Sequence, residues 1–492
     1  MSSHSNAVGV LLIYSISLSL ALLVGYILAA GSGIESIGLT VVVVGALCLP
    51  MVLRNHRAML FFCWNSTLGI YFLPGQAPLW LVLGAVSLLL TMGDRTLHRG
   101  QPLVSQPTIT WPLVVFAVVV VVTMLATGGV GIQWLGESGL SGGRKYTWIL
   151  GACLGYFALT GAVIPVEKAP LFYGLFFLGG LTGFVGPLAS WLGGPLAYSQ
   201  YLFAPWLGVL ESESGFRIMG MAFTGAAISA WMLARYGFGG IFHGGRPWRI
   251  GVFVGGVLLS MLGGFRSTTI GLALTMAILF FLEGHHRTPR LLVWLGGGLL
   301  GVALLIPLTP HLPTPVQRSL AFLPLPVDPM VKSDADSTMI WRQGLFEALI
   351  QDVPQYFWLG KGLTISTVDM EWSQTMGRFG TDQWYQSYLT GEHHNGFLSV
   401  IISFGIWGML AFLWLVLAGL WVLVRNYRHG RAELLTVNAY LLASYVSWNI
   451  AFFSYAGTLY WSMKDLTGLL ALGVALNGGM ARAGDATASK PV

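Results

Sequence analysis

Charged residues are scarce in this chain. Asp, Glu, Lys and Arg make up 9% of its 492 residues, against about a quarter of the residues in a soluble globular domain. Hydrophobic residues account for 55% of the chain, and the mean hydropathy is +0.72. This composition excludes a soluble domain and predicts a polytopic membrane protein.

Cysteine is scarce too, with Cys48, Cys63 and Cys153 the only three. All of them fall in apolar runs, where a thiol serves as a small hydrophobic side chain. The predicted outer loops contain no cysteine, which excludes a disulfide framework there.

Metal and nucleotide motifs are missing as well. No CxxC or HExxH spacing accompanies Glu392, His393 and His394, and adjacent histidines project in different directions. The segment Gly360-Lys361-Gly362 lacks the GxxxxG spacing of a phosphate-binding loop and the Ser or Thr that follows it. No metal and no cofactor are therefore expected.

Long apolar runs are what the chain has instead. Crossing the hydrocarbon takes roughly 20 apolar residues in a helix, and about fourteen runs of that kind can be counted. They cover residues 8–30, 36–53, 58–73, 78–93, 111–127, 145–165, 170–191, 217–237, 250–265, 267–283, 291–309, 396–424, 433–452 and 459–478. The runs are apolar on every side, unlike the alternating strands of a membrane β-barrel. The predicted fold is an all-α polytopic integral membrane protein, with a single transmembrane domain over residues 1–492.

The basic residues orient the predicted bundle. Short cytoplasmic loops collect Lys and Arg, and most of the 25 basic residues fall on one side when the amino terminus is placed inside. Both termini are then cytoplasmic. The apolar run from Ala7 to Ala30 is longer than the core of a signal peptide, so it is expected to be an uncleaved anchor. The isoelectric point of 9.2 follows from this topology, and nucleic acid is not an expected partner.

One long loop, residues 310–394, is predicted on the outer face. Several prolines open it and should prevent regular helix there. Asp336-Ser337 then offers an N-cap, and apolar residues recur at helical spacing over residues 338–352. An amphipathic helix is predicted at that place, lying on the bundle or at the lipid interface.

Arg266 is the outer charge that most needs an explanation. It lies between two apolar runs, in a turn too short to lift a guanidinium group into bulk water. Ser267, Thr268 and Thr269 are predicted to cap the following helix, and a helix amino terminus beside an arginine can bind phosphate. The simpler alternative is that Arg266 extends to lipid headgroups.

Arg217 and Arg342 are the other two candidates for binding an anion. Arg217 lies at the mouth of an apolar run, and the alternative for it is a local ion pair with Glu211 or Glu213. Arg342 lies on the predicted amphipathic helix, where the alternative is an ordinary solvated face.

His394 is the predicted general base. Asn395 can cap the apolar run that follows it, which places His394 at a positive helix end, where the dipole disfavours the imidazolium form. A neutral imidazole can take the proton of an acceptor hydroxyl while arginines hold a leaving phosphate, as glycosyl or phosphoryl transfer requires. The alternative is a histidine that only makes a local hydrogen bond.

Several short motifs follow one another along the second half of the chain. They are Phe216-Arg217-Ile218-Met219-Gly220, Gly264-Phe265-Arg266-Ser267, Trp341-Arg342 with Leu359-Gly360-Lys361-Gly362, and His394-Asn395-Gly396-Phe397-Leu398 with Phe404-Gly405-Ile406-Trp407-Gly408. In this order they resemble the O-antigen ligase and polymerase superfamily of bacterial envelopes, over roughly residues 200–425. The resemblance implies a type C glycosyltransferase fold and a metal-independent, inverting transfer. It also implies that Arg217, Arg266 and Arg342 hold a pyrophosphate and that His394 is the catalytic base.

The function implied by the resemblance is transfer of a glycan from a polyprenyl-pyrophosphate carrier to a hydroxyl group on a lipid or glycan acceptor. The reaction would take place on the periplasmic face of the bacterial inner membrane, with membrane lipids and other envelope glycan-assembly proteins as further partners. A repeat-unit polymerase of the same superfamily is the first alternative. A lipid-linked glycan flippase or secondary transporter is the second, although few ionisable residues lie inside the apolar runs. A structural membrane scaffold is the third.

Overall fold

The computed structural model describes residues 25, 50–70, 77–97, 104, 106–128, 142–194, 202–203, 208–212, 215–243, 245–365 and 384–482. The chain divides into two compact units, Met1–Met59 and Leu60–Val492. In the first unit, residues 25 and 50–59 are helical. The predicted spans 8–30 and 36–53, and with them the predicted anchor, otherwise lie outside the described residues. The candidate site belongs to the second unit.

Fifteen α-helices lie wholly within the described residues. They are α1 (Leu79–Leu97), α2 (Pro107–Ala126), α3 (Gly142–Leu159), α4 (Ala169–Leu178), α5 (Thr182–Leu192), α6 (Met219–Phe242), α7 (Pro247–Met261), α8 (Arg266–Leu282), α9 (Arg290–Leu308), α10 (Thr314–Leu320), α11 (Pro329–Tyr356), α12 (Trp384–Thr390), α13 (Gly396–His429), α14 (Leu435–Ala451) and α15 (Leu459–Asn477). The predicted all-α class is confirmed.

Two small antiparallel hairpins interrupt the helices. Strand β1 (Gly69–Ile70) pairs with β2 (Ala77–Pro78), so the predicted span 58–73 is wrong at its end: the helix stops at residue 64. Strand β3 (Val209–Ser212) pairs with β4 (Gly215–Ile218). Arg217 is therefore on a strand, and the helix that was predicted to begin there begins at Met219 instead.

Five helical stretches in the described residues are long and apolar enough to cross a membrane. They are Leu79–Thr96, Pro107–Ala126, Val166–Leu192, Leu291–His311 and Gly396–His429. Other predicted spans correspond to shorter helices, such as α7 with 15 residues and α8 with 17. The chain is thus an α-helical membrane protein, whereas a count of about fourteen spans is not confirmed.

Helices α6 and α7 touch through their backbones. A Cβ atom on Gly225 would lie 2.2 Å from the amide nitrogen of Ser260 and 2.4 Å from the carbonyl oxygen of Gly256. Small residues allow such close crossing between membrane helices. The contact fixes the end of α7, from which the chain turns directly into α8 and Arg266.

Helix α6 is broken at Gly237, whose φ is 64°. The break exposes N–H groups inside the helix, and the carboxylate of Glu283 accepts hydrogen bonds from those of Phe238 and Gly239, both at 2.7 Å. His285 Nε2 lies 3.0 Å from the same carboxylate. Glu283, which comes from a later part of the chain, therefore caps the second half of α6.

Helix α13 is also broken by a glycine, Gly405, with φ 64° and ψ −166°. The chain after α11 pairs with this break through its backbone: the Lys361 N–H donates to the Ile402 carbonyl at 2.7 Å, and the Gly362 N–H donates to that of Ser403 at 3.0 Å. The motif Leu359-Gly360-Lys361-Gly362 therefore lies beside the motif that begins at Phe404. The two hydrogen bonds hold the segment after α11 against the first turns of α13.

Three asparagines fix the other end of α13. Asn438 Nδ2 donates to the Asn426 carbonyl and to Asn477 Oδ1, both at 3.0 Å, and Asn477 Nδ2 donates back to Asn438 Oδ1 at 2.9 Å. A buried polar network with every member paired rigidifies the elements that it joins. Here it ties α13, α14 and α15 together.

The predicted secondary structure of the long loop is wrong in two respects. Its first part does form a helix, α10, because Pro315 occupies the first turn, where proline is tolerated. The amphipathic helix is longer than residues 338–352: it begins at Pro329, and its N-cap is Asp328, which accepts from the Met330 N–H at 2.8 Å. The helix lies on the bundle, since Leu345 and Leu349 pack against Leu398 and Ile402 of α13.

Candidate functional site

Four arginines from separate elements approach one another beside His394. This arginine cluster consists of Arg217 on β4, Arg266 at the start of α8, Arg318 on α10 and Arg342 on α11. The charges of Arg217 and Arg266 both act on Arg318, and the charge of Arg266 acts on Arg342. The sequence predicts three of these four arginines and His394 as one site, and the structure brings them together.

Gly264 lets two of the arginine side chains meet. Its φ is +72°, which favours glycine. A Cβ atom at this position would lie 2.6 Å from Cδ of Arg217 and 3.7 Å from Cδ of Arg318. The stems of both arginines therefore run against the backbone of the turn that leads into α8.

Positive charge exceeds negative charge in the cluster. Arg318 lies 2.5 Å from Asp334, and Asp334 is the carboxylate whose charge acts on Arg217 as well. Within the described residues, Arg342 has no carboxylate at ion-pair distance. Burial first, and then the cation of Arg217, lowers the pKa of Arg318 to about 10. Burial and the cation of Arg266 likewise lower the pKa of Arg342. An anion bound among these groups would relieve their mutual repulsion.

Several donors of the cluster lack acceptors among the described residues. The Nε atoms of Arg217 and Arg342 are buried and make no hydrogen bond. Arg266 donates from Nη2 to the Ala335 carbonyl at 3.2 Å, which orients its guanidinium group from α11. Buried donors are normally paired, so unpaired ones at a cluster of cations indicate a place for a ligand with acceptor oxygens.

The predicted cap of α8 is wrong, and the correction leaves the helix end open. Phe265 is the N-cap residue, and no side chain makes a capping hydrogen bond, so Ser267, Thr268 and Thr269 do not cap it. Arg266 is itself the first helical residue. Helix N–H groups without a side-chain cap remain available to an anion.

His394 lies at the edge of the cluster in an unusual backbone conformation. Its φ is +50°, which is uncommon for a residue other than glycine. The ring packs edge-to-face on Trp341 at a centroid distance of 5.2 Å. Burial, followed by the cation of Arg342, lowers the pKa of His394 to about 4, while Glu392 opposes the shift. The ring is therefore neutral at neutral pH.

The predicted cap after His394 is confirmed. Asn395 is the N-cap of α13, and its Oδ1 accepts from the Leu398 N–H at 3.1 Å. The helix therefore begins at Gly396, and His394 lies just before its amino terminus.

The sequence-based prediction misses Arg318 and Asp334. Both lie in the loop where prolines were expected to prevent helix. Pro315 is a signal that would have located α10, because proline is favoured in the first turn of a helix. That Arg318 is buried, with only 8% of it exposed, and so requires partners, becomes visible only in the folded loop.

His393 lines a cavity that is separate from the arginine cluster. Its ring is buried and lines a cavity together with Lys145, Lys361, Thr364 and Tyr388. The two adjacent histidines thus have different neighbours: His393 lines the cavity, and His394 lies by Arg342. Sequence reasoning assigned no role to either lysine.

No protein-family model matches the chain, and a comparison with curated proteins finds no match. Within the described residues, no three His, Cys, Asp or Glu side chains lie close enough together to hold a metal ion. The chemical groups that this site offers to a substrate are guanidinium groups and a neutral imidazole.

Proposed function

We propose that this membrane protein is a glycosyltransferase that moves a glycan from a polyprenyl-pyrophosphate carrier to a hydroxyl group of a lipid or glycan acceptor. The single observation that carries the proposal is the convergence of four guanidinium groups, with one carboxylate among them, beside a neutral histidine. A leaving diphosphate carries several negative charges and many acceptor oxygens. The excess cations and unpaired donors of the cluster match both properties.

His394 supplies the base that the reaction needs. Its neutral ring accepts the proton of the acceptor hydroxyl as that oxygen attacks the anomeric carbon of the donor sugar. The bond from this carbon to the pyrophosphate oxygen breaks, and its electron pair leaves with the polyprenyl diphosphate. Attack from the side opposite the leaving group inverts the anomeric centre. The arginine cluster stabilises the charge that develops on the diphosphate.

The proposal is tested by transfer from purified lipid-linked glycan in detergent or liposomes. Arg342→Ala and His394→Ala should each lower kcat by about 100-fold or more. Arg431→Ala, which changes an exposed arginine outside the site, should leave kcat within about twofold of wild type. Membrane abundance and thermal unfolding show whether each variant is folded. Full activity in both site variants would remove the assignment.

The acceptor decides between a ligase and a polymerase, which would share this site. Deletion of the gene should leave long glycans on the carrier lipid if the protein attaches finished chains to an acceptor lipid. Short, unextended glycans at the surface would instead identify a repeat-unit polymerase. Movement of lipid-linked glycan by the purified protein in liposomes, without formation of a bond, would identify a flippase and overturn both assignments.

A further inference from the structure

The cavity at His393 is lined by two lysine side chains. Lys145 is only 3% exposed and His393 only 6%. The ammonium group of Lys145 donates to the Thr390 carbonyl, and that of Lys361 lies 4.9 Å from the centre of the Tyr388 ring. Lysine is rarely buried without a partner of opposite charge. Lys145 is buried and Lys361 is half-buried beside the same cavity, so this pair of cations needs an explanation.

Two acidic groups lie near the lysines, and each already accepts a hydrogen bond from a tyrosine hydroxyl. Glu392 acts on Lys145, and it also accepts a hydrogen bond from Tyr460 at 2.8 Å. Asp352 accepts from the hydroxyl of Tyr388. Within the described residues, Lys361 has no carboxylate at ion-pair distance. Lys361 is therefore the cation of this cavity that an incoming anion would meet without a carboxylate already bound to it.

Unpaired polar atoms line the same cavity. His393 Nδ1 and Thr364 Oγ1 are buried and have no hydrogen-bond partner among the described residues. Burial, and then the cations of Lys145 and Lys361, lowers the pKa of His393 to about 3. The histidine therefore adds no charge of its own at neutral pH, but its ring nitrogen and the threonine hydroxyl can bond to an oxyanion.

The backbone holds Lys361 rigidly over the cavity. Gly360, with φ +84°, and Gly362, with φ +76°, flank it. A Cβ atom on Gly360 would lie 2.4 Å from the Ser403 carbonyl oxygen, and one on Gly362 would lie 2.4 Å from Thr127 Oγ1. The Leu363 N–H donates to the buried hydroxyl of Tyr146 at 2.8 Å. The lysine is thus presented by a loop that is fixed on both sides, as a binding residue should be.

We propose that the cavity formed by Lys145, Lys361 and His393 is a second anion-binding site, which takes a phosphate or carboxylate group carried by the acceptor saccharide. The next residue in the chain, His394, interacts with Arg342 of the arginine cluster. An acceptor anchored at the lysines would present its hydroxyl to the base from one side, while the donor diphosphate occupies the other. That the bound anion belongs to an acceptor saccharide rests on the proposed transferase function. That an anion binds at the lysines does not depend on it.

The binding part is tested on the full-length protein in detergent with inorganic phosphate as the probe. Lysine acylation by a water-soluble ester is followed by mass spectrometry, with and without phosphate at matched ionic strength. Phosphate should slow modification of Lys361 at least about threefold. It should not change that of Lys332, an exposed lysine that does not line the cavity. Equal modification of Lys361 in phosphate and in chloride would overturn the site.

The acceptor part is tested by transfer kinetics with paired acceptors that do or do not carry the anionic group. Lys361→Met should raise KM for the charged acceptor about tenfold, and leave KM for the neutral acceptor and for the donor unchanged. Lys361→Arg should restore most of the loss, and Lys332→Met should have no effect. An equal change of KM for both acceptors, or none, would show that phosphate binds there only adventitiously and would overturn the acceptor assignment.

The two proposals fail in different ways. If the wild-type protein transfers no glycan to any acceptor, the transferase function is wrong even where phosphate protects Lys361. If transfer proceeds and depends on Arg342 and His394, but Lys361→Met changes nothing and phosphate gives no protection, only the second site is wrong.

Discussion

At the scale of single residues, the site depends on how Arg342 and His394 affect each other. Burial, and after it the guanidinium group of Arg342, keeps the neighbouring imidazole neutral, and the imidazole adds no positive charge to an already cationic cluster. A base and an anion-binding group can therefore work side by side at neutral pH. Trp341 holds the ring of His394 from α11, the helix that also carries Arg342.

The pH dependence of transfer should report this coupling. In the wild type, His394 has a pKa of about 4, so activity that needs its neutral form should fall only as the pH drops towards that value. Arg342→Ala removes one cause of the lowering, and the pKa should rise towards its ordinary value of 6.5. The acid limb of kcat/KM for the residual activity should then move to higher pH. Arg342→Lys keeps the positive charge, so the acid limb of its kcat/KM profile should stay near the wild-type position. If the acid limb fell at the same pH in Arg342→Ala and Arg342→Lys, the coupling would be contradicted.

Much of the candidate site could be predicted residue by residue. Arg217, Arg266 and His394 lie at the mouths of apolar runs, where a charge or an imidazole needs a physical reason. Arg318 could not be predicted in the same way, because its importance depends on the fold of a proline-containing loop. Lys361 could not be predicted as a binding residue either, because its motif does not match a nucleotide-binding loop. Only the backbone pairing with α13 shows where its ammonium group lies.

At the scale of secondary-structure elements, two glycines interrupt helices, and the backbone groups freed by each break form hydrogen bonds with another part of the chain. The break at Gly237 in α6 binds the carboxylate of Glu283, and the break at Gly405 in α13 receives the backbone of the segment that carries Lys361. In each case the interrupted helix gains hydrogen bonds from a distant part of the chain. The breaks are therefore part of the tertiary structure.

Gly405→Ala should damage both stability and transfer. A Cβ atom there would lie 2.5 Å from the Trp358 carbonyl oxygen, and a positive φ costs an L-residue about 1–2 kcal/mol even without that clash. We expect thermal unfolding in detergent to show a loss of about 2 kcal/mol or more. Gly301→Ala in α9 is the matched control, because a Cβ atom there meets nothing within 4 Å. The control should be neutral or stabilising by up to about 1 kcal/mol, and equal stability of the two variants would argue against a strained break.

Glu283→Ala should lower stability without altering the chemistry. It removes the acceptor of two backbone hydrogen bonds inside α6, each to a charged group, so the loss should be about 2–4 kcal/mol. Thermal unfolding measures the loss, and kcat per folded molecule should stay close to that of the wild type. Glu167→Ala, at an exposed position, should change stability by less than about 0.5 kcal/mol. A stable Glu283→Ala variant would mean that the cap is not needed.

The elements themselves could be predicted only in part. Helices with long apolar runs, such as α2 and α13, follow directly from composition. The start of α11 could not be placed correctly, because Asp336 and Asp328 offer similar N-caps and only packing of the whole loop selects the earlier one. The short strands β3 and β4 have no periodic signal at all, since four residues are too few to show alternation.

At the scale of the whole molecule, composition predicts the class but not the number of crossings. An apolar run predicts that a segment avoids water, and both a membrane span and a helix buried among other helices satisfy that condition. Helix α7, with 15 residues, is shorter than a straight crossing needs. Apolar length alone therefore does not determine the number of spans.

The predicted orientation can be measured by cysteine labelling. Cys63 and Cys153 are buried, so replacing Cys48 should give a background with little reactivity. In that background, Ser337→Cys on α11 should react with a membrane-impermeant maleimide in spheroplasts, and Ala432→Cys should react only after lysis; both positions are exposed in the structure. The reverse pattern would place the arginine cluster on the cytoplasmic side and contradict the proposed substrate.

The interruption of α13 also sets the depth of the site. With 34 residues, an unbroken α13 would be about 51 Å long, far more than the roughly 30 Å of hydrocarbon in a bilayer. The part after Gly405 is about 36 Å long and is sufficient for the crossing. The turns before Gly405, with His394 ahead of them, are then not required for the crossing. On the proposed function, His394 would stand near the headgroup layer, and the diphosphate of the donor would reach it without the carrier lipid leaving the bilayer.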